Sequence, residues 1–135
     1  MDVERIRNVG AVALGFVFIM IGVDHFLRTA WYVPIVPEVL GAPEVWVYLS
    51  GVTEILFGGA FMVKKTRVMA AKSGIAMLVL LYWANLNMWV NDIPLNGVRY
   101  GTGWHIGRLV AQALLIGLVA WLADWPYKRC SAIAI

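Results

Sequence analysis

The sequence predicts an all-α, polytopic membrane protein: a four-transmembrane-helix bundle with both termini cytoplasmic. Three observations predict this fold: the composition, four long apolar runs and the distribution of the basic residues. The chain of 135 residues is 61% hydrophobic and only 14% charged, whereas soluble domains average about 25% charged residues. This composition excludes a disordered tail, a nucleic-acid-binding arm and a disulfide-stapled secreted domain.

Four apolar runs cover residues 9–27, 45–63, 68–90 and 103–123, within one domain over 1–135. A helix needs about 20 residues to cross a hydrocarbon core of about 30 Å, and each run is close to that length. Helices satisfy their own backbone hydrogen bonds in lipid, so each run predicts one spanning helix. Acidic residues precede the first run and no small-residue cleavage site follows it, so we expect an uncleaved span.

The basic residues are distributed unequally between the two sides of these spans. Eight lie on the side of the termini and the second loop: Arg5, Arg7, Lys64, Lys65, Arg67, Lys72, Lys128 and Arg129. Only Arg28 and Arg99 lie on the opposite side. Because cytoplasmic loops carry the excess of Lys and Arg, this count predicts cytoplasmic termini and two outer loops.

The two outer loops carry residues that interrupt helices. Prolines in the first loop, residues 28–44, exclude a continuous helix, and we expect Trp31 and Tyr32 to lie along the membrane interface. The second outer loop contains the turn sequence Asn96-Gly97.

Polar side chains are unusual within such apolar spans, because a charge at mid-bilayer costs about 2.5–3.5 kcal/mol. In this chain they lie toward the predicted outer ends of all four spans, and the inner halves of the spans hold no charge. They are Asp24, His25, Ser50, Glu54, Asn85, Asn87, His105, Arg108 and Gln112. The distribution predicts a polar pocket in the outer half of the bundle that opens outward.

Helical spacing groups several of these residues on common faces. His105, Arg108 and Gln112 share one stripe of the fourth span, and Ser50 and Glu54 lie one turn apart on the second.

Glycines mark one face of the first span and one face of the second span as surfaces for close helix packing. Gly15 and Gly22 share a face of the first span, and Gly51 and Gly58 lie near Glu54 on the second. Since small residues let membrane helices approach closely, this face should be the bundle interior, with Glu54 inside.

Two interpretations of the charged residues remain open. Glu54 and Arg108 are candidates for a structural ion pair between helices, or for ligand binding and proton handling. Asp24 and Arg28 are candidates for an ion pair at the interface, one helical turn apart.

Cofactor chemistry has little support in the residue types. His25 and His105 are the two histidines, and Cys130 is the single cysteine. We therefore expect no metal site, no haem and no relay between paired thiols.

The order of motifs resembles the DoxX-like family of small bacterial four-helix membrane proteins. Asp24-His25-Phe26 ends the first span, an aromatic loop with prolines follows, and the stretch 50–58 reads Ser-Gly-Val-Thr-Glu-Ile-Leu-Phe-Gly. Asn85 lies late in the third span.

The resemblance implies a location in the bacterial inner membrane and a role as a small subunit, or a quinone-binding component, of an oxidoreductase system. It assigns site roles to His25, Ser50, Glu54 and Asn85, to which the spacing adds His105 and Arg108. We expect lipids as neighbours, with a redox subunit or a homo-oligomer as candidate partners. Non-enzymatic small-molecule binding or transport, and a structural scaffold, remain alternatives.

Overall fold

The computed structural model describes residues 2–125 and confirms an all-α four-helix bundle. Lys128, Arg129 and Cys130, which entered the predictions above, lie outside the described residues. The helices are α1 (Val3–Leu27), α2 (Thr29–Tyr32), α3 (Pro43–Met62), α4 (Arg67–Val90) and α5 (Thr102–Leu122). α1, α3, α4 and α5 are long and apolar enough to span a membrane, which fits a multi-pass membrane protein.

The helix boundaries agree with the apolar runs, except at the beginning of α1. The other three long helices begin and end within two residues of the predicted limits. α1 begins six residues earlier, at Val3, and Asp2 precedes it. The Asp2 carboxylate accepts a hydrogen bond from the Glu4 amide at 3.4 Å, which caps the helix.

The four long helices form a closed bundle with alternating directions. α1 packs against α3 and α5, and α4 packs against the same two helices. α3 and α5 therefore occupy opposite corners of the bundle, which limits the side chains that can meet directly.

Glycines bring α1 and α3 into close contact, on the faces that the sequence predicted to lie inside the bundle. A Cβ atom on Gly22 would lie 2.6 Å from the Gly51 carbonyl oxygen, and one on Gly51 would lie 2.8 Å from that of Gly22. Gly15 and Gly58 form the same reciprocal contact one heptad away along both helices. Only glycine permits these backbones to approach so closely.

The segment between α1 and α3 is built from short helical pieces. α2 is followed by two 3₁₀ turns, Val33–Ile35 and Glu38–Leu40, before the left-handed residues Gly41 and Ala42 lead into α3. The prolines exclude a continuous helix here, as predicted, but the chain still folds compactly against the bundle.

The second loop at the same end contains a tight turn at Asn96-Gly97. Both residues have positive φ, 49° and 78°, and Leu95 and Val98 exchange backbone hydrogen bonds around them. Asn-Gly is the preferred sequence for such a two-residue turn.

At the opposite end, Arg67 is buried and joins three helices. Its guanidinium donates to the carbonyl oxygens of Phe61 at 2.9 Å and Met62 at 3.1 Å, and to Oδ1 of Asn8 at 2.7 Å. One of the residues that predicted sidedness therefore also satisfies the last carbonyl groups of α3.

Candidate functional site

A cavity of about 440 Å³ lies at the end of the bundle covered by the α1–α3 segment. This volume is within the range of about 300–1,000 Å³ typical of small-molecule sites. Its walls are mainly apolar and aromatic. Five of the six residues predicted for ligand binding or proton handling line it: His25, Ser50, Glu54, Asn85 and Arg108.

His25 and Glu54 form one polar wall of the cavity, where α1 meets α3. Nδ1 of His25 lies 2.9 Å from the Ile21 carbonyl oxygen. Since a carbonyl oxygen can only accept, the proton is on Nδ1 and points along α1. Oε2 of Glu54 lies 3.2 Å from the same nitrogen.

The Glu54 carboxyl group is buried, and its polar contacts are incomplete. Its side chain is 9% exposed, and Oε2 makes no hydrogen bond with any residue in the described range 2–125. A buried polar atom without a hydrogen bond costs about 1–3 kcal/mol. The carboxyl group is thus suited to a ligand that brings a hydrogen-bonding partner.

Asn85 and Arg108 form a second polar wall, where α4 meets α5. Nη2 of Arg108 donates to Oδ1 of Asn85, and Nη1 lies 3.3 Å from Sδ of Met88. Both partners are neutral, and Arg108 is in none of the ion pairs formed within residues 2–125. The guanidinium therefore offers a positive charge and further donors to the cavity.

The expected ion pair between Glu54 and Arg108 is not formed. The carboxyl group faces His25, and the guanidinium is held by Asn85. α3 and α5 are at opposite corners of the bundle, so the two side chains line one cavity from separate walls. Spacing along single helices could not show which helices would be diagonal.

The stripe on α5 faces α4, but only one of its three residues reaches the cavity. The ring of His105 stacks on Trp89 at 5.5 Å, and Nε2 of Gln112 donates to the Leu78 carbonyl oxygen at 2.8 Å. Arg108 lies between them and lines the cavity. His105, predicted as a site residue, is instead buried between the helices.

The predicted Asp24–Arg28 ion pair is confirmed, with Nε and Oδ1 2.9 Å apart. Asp24 has a further partner that sequence reasoning missed, because Tyr32 donates its hydroxyl to Oδ2 at 2.7 Å. The Tyr32 ring also stacks on His25 at 4.0 Å and lines the cavity. No helical periodicity connects Tyr32 with Asp24 across a break in the helix, so no spacing signal could have found this contact.

Burial raises the pKa of Tyr32 above its ordinary value of about 10. The hydrogen bond to Asp24 and the negative charge of Asp24 raise this pKa further. The hydroxyl therefore remains a donor throughout the physiological pH range.

The α1–α3 segment covers the outer end of the cavity and is fixed to the helices around it. The side chain of Asn87 donates to the Ile35 carbonyl oxygen at 3.1 Å, and Nε1 of Trp46 donates to that of Leu40 at 3.2 Å. These bonds attach the segment to α4 and α3, in addition to the Tyr32 contact with α1.

The α1–α3 segment lies across the end of the cavity at which the sequence predicts an outward opening. Ile35 and Pro37 are buried in the α1–α3 segment, which we refer to as the cover. By contrast, lining residues on α3 and α4 are exposed on the outside of the bundle. Leu80 is 72% exposed and Trp83 is 50% exposed. We infer from these exposed lining residues that the cavity opens sideways, between α3 and α4.

Within residues 2–125, no group of three or more His, Cys, Asp or Glu side chains could hold a metal ion. The chemistry available at the cavity consists of hydrogen bonding, charge and aromatic packing.

Comparisons with known proteins identify a family. No curated protein and no solved structure matches the chain. The model of a family described as "Domain of unknown function (DUF8561)" matches residues 14–123, which include α3, α4, α5, the part of α1 from Leu14 onward and every residue of the cavity. The chain belongs to this family, DUF8561.

Proposed function

We propose that the protein binds a quinone in this cavity and acts as a small membrane component of an oxidoreductase system. The observation that carries the proposal is the pair of polar walls, His25–Glu54 and Asn85–Arg108, on either side of an otherwise apolar space. A quinone ring carries oxygen atoms on opposite edges and is apolar between them, which matches this arrangement. The resemblance to DoxX-like proteins supports the same class of ligand.

Each polar wall suits one edge of such a ring. Arg108 donates hydrogen bonds, so it suits a carbonyl oxygen, and Asn85 orients it. Oε2 of Glu54 is buried beside His25 and suits a hydroxyl group of the reduced ring. Ser50 lines the same space, and its hydroxyl already donates to the Val47 carbonyl at 2.8 Å, so it offers an acceptor.

The apolar walls suit the faces of the ring. Tyr32, Trp46 and Trp83 line the cavity, and aromatic side chains stack on flat rings at the distances that separate Tyr32 from His25. When bound, a quinone would supply the redox chemistry, and the chain's residues would bind and orient it.

The test is the quinone content of the protein extracted gently from its own membrane, measured by native mass spectrometry and by chromatography of extracted lipids. We expect wild type to retain quinone, and Glu54→Gln and Arg108→Gln to lose it at least about tenfold, the effect of about 1.4 kcal/mol. Arg99→Gln is the matched control, because Arg99 is paired with Asp92 outside the cavity.

The outcomes separate the candidate functions. Quinone retained by wild type but lost from both cavity variants supports the proposal, and a co-purifying redox subunit would identify the partner. A bound amphiphile without redox activity would indicate binding or transport. A folded chain or homo-oligomer without quinone, even after quinone is added, would contradict the proposal and favour a scaffold. Fractionation of bacterial cells would test the proposed inner-membrane location.

A further inference from the structure

The side opening of the cavity lies on a surface that faces lipid in a membrane. Leu80 on α4 and Trp46 on α3 line the cavity and are 72% and 43% exposed. The cover closes the outer end, as described above. A ligand reaching Glu54 or Arg108 by this opening therefore comes from the bilayer and not from water.

A second, shallower cavity of about 320 Å³ continues along the same two helices. It is lined on α3 by residues from Thr53 to Ala60 and on α4 by residues from Ala70 to Met77. Its walls are almost entirely apolar, and Leu56 at its edge is 66% exposed. We refer to it as the α3–α4 groove.

The lining of the groove lies beside that of the cavity on both helices. Thr53 precedes the cavity residue Glu54 on α3, and Met77 lies one turn before Leu80 on α4. From Thr53 to Ala60 the groove is about 10 Å long at about 1.5 Å per residue. It runs away from the cover, from about the middle of α3 toward the end of that helix opposite the cover.

We propose that the groove holds the hydrocarbon tail of the same molecule whose polar ring lies in the cavity, and that this molecule is admitted from the membrane between α3 and α4. The inference rests on the proposed function and adds that the ligand is a tailed, lipid-soluble quinone. A cavity with two polar walls beside an apolar groove matches an amphiphile with a ring at one end. The lateral opening is the route along which ring and tail stay in apolar surroundings.

The test places a photoreactive tail in the groove. The probe is a benzoquinone with an alkyl tail that carries a diazirine, added to the protein in vesicles of phosphatidylcholine and phosphatidylglycerol. After illumination, mass spectrometry of peptides locates the adducts. We expect them on residues 53–60 and 70–77, and we expect an excess of the same quinone without a tail to suppress them.

One substitution that fills the groove and two control substitutions that leave it open test whether the adducts depend on the groove. Thr53 is exposed, and its hydroxyl bonds only the Ser50 carbonyl oxygen of its own helix. Thr53→Trp should fill the groove without disturbing the core and lower the groove adducts about tenfold. Thr53→Val preserves the side-chain shape and should leave them unchanged. Leu114→Trp, on α5, adds a tryptophan at a residue with 70% exposure that lines neither cavity.

Failure of this inference differs from failure of quinone binding. The adducts could lie on α1 or α5 and still be suppressed by the tailless quinone. This result would contradict binding of the tail in the groove, but not binding of the ring in the cavity. Equal groove labelling in Thr53→Trp and wild type would also overturn it. Labelling that the tailless quinone cannot suppress at any position would contradict both, because the tail would then report only general contact with lipid.

Discussion

Replacing Gly22 by alanine should force α1 and α3 apart. The new Cβ would lie 2.6 Å from the Gly51 carbonyl oxygen and 3.1 Å from the Ile55 backbone nitrogen, whereas ordinary contacts begin at 3.4 Å. Both atoms belong to the backbone of α3, so the helices must separate by several tenths of an ångström. Overpacking of this kind costs about 1–3 kcal/mol.

Helix propensity acts in the opposite direction, because alanine is favoured over glycine in a helix by about 1 kcal/mol. Gly59→Ala gains the same propensity, since Gly59 is also inside a helix, but its Cβ would meet nothing within 4 Å. The difference between the two variants therefore isolates the clash. We expect Gly22→Ala to be less stable than Gly59→Ala by about 1–3 kcal/mol.

The assay is reversible unfolding in mixed micelles with increasing sodium dodecyl sulfate, followed by tryptophan fluorescence and circular dichroism. Equal free energies of unfolding for the two variants, to within about 0.5 kcal/mol, would refute the close packing of α1 on α3. Gly51→Ala, whose Cβ would lie 2.8 Å from the Gly22 carbonyl oxygen, should repeat the loss.

Three further predictions follow from other contacts. Asn85→Ala and Arg108→Gln should show a coupling energy of about 0.5–3 kcal/mol in a double-mutant cycle, larger than that of Glu54→Gln with Arg108→Gln; the reverse order would contradict the two-wall arrangement. In a Cys130→Ser background, a membrane-impermeant thiol reagent applied to intact cells should label Arg99→Cys but not Lys65→Cys, and the opposite result would reverse the predicted orientation. Because the native pKa of Tyr32 is raised, its contribution to stability is present below the ordinary pKa of about 10 and is lost as the pH rises above it. Tyr32→Phe should therefore reduce the fall in the free energy of unfolding above about pH 10 in the same unfolding assay, and an unchanged fall would contradict the raised pKa.

Much of the fold could be predicted because apolar length and glycine spacing are local properties of the sequence. Four runs of about 20 apolar residues leave few alternatives to spanning helices. The contact of Gly22 with Gly51 lies on the glycine faces that the heptad spacing indicates, although that spacing does not specify which helices meet. Polar residues in apolar spans also identified five side chains that line one cavity.

What the sequence could not predict depends on which helices are neighbours and on how a loop folds. Glu54 and Arg108 are residues of opposite charge type at similar depth, but their helices are diagonal, so Glu54 lies beside His25 and Arg108 donates to Asn85. The covering position of the α1–α3 segment depends on three isolated hydrogen bonds, from Tyr32, Trp46 and Asn87. None of the three has a periodic signal, so the lateral opening could not be foreseen.

The two contacts of α3 have different roles, and the contrast explains where the cavity lies. On the α1 side, glycines remove side-chain volume, the backbones meet, and His25 is brought to within 3.2 Å of Glu54. On the α4 side, the Phe57 ring packs against Gly74, and both the cavity and the α3–α4 groove lie along this contact. The closely packed α1–α3 pair thus places the Glu54 carboxyl group beside the α3–α4 contact, which remains open on the lipid-facing side. A ligand that contacts both polar walls would bridge α3 and α4. Its binding should therefore stabilise the α3–α4 contact more than the α1–α3 contact.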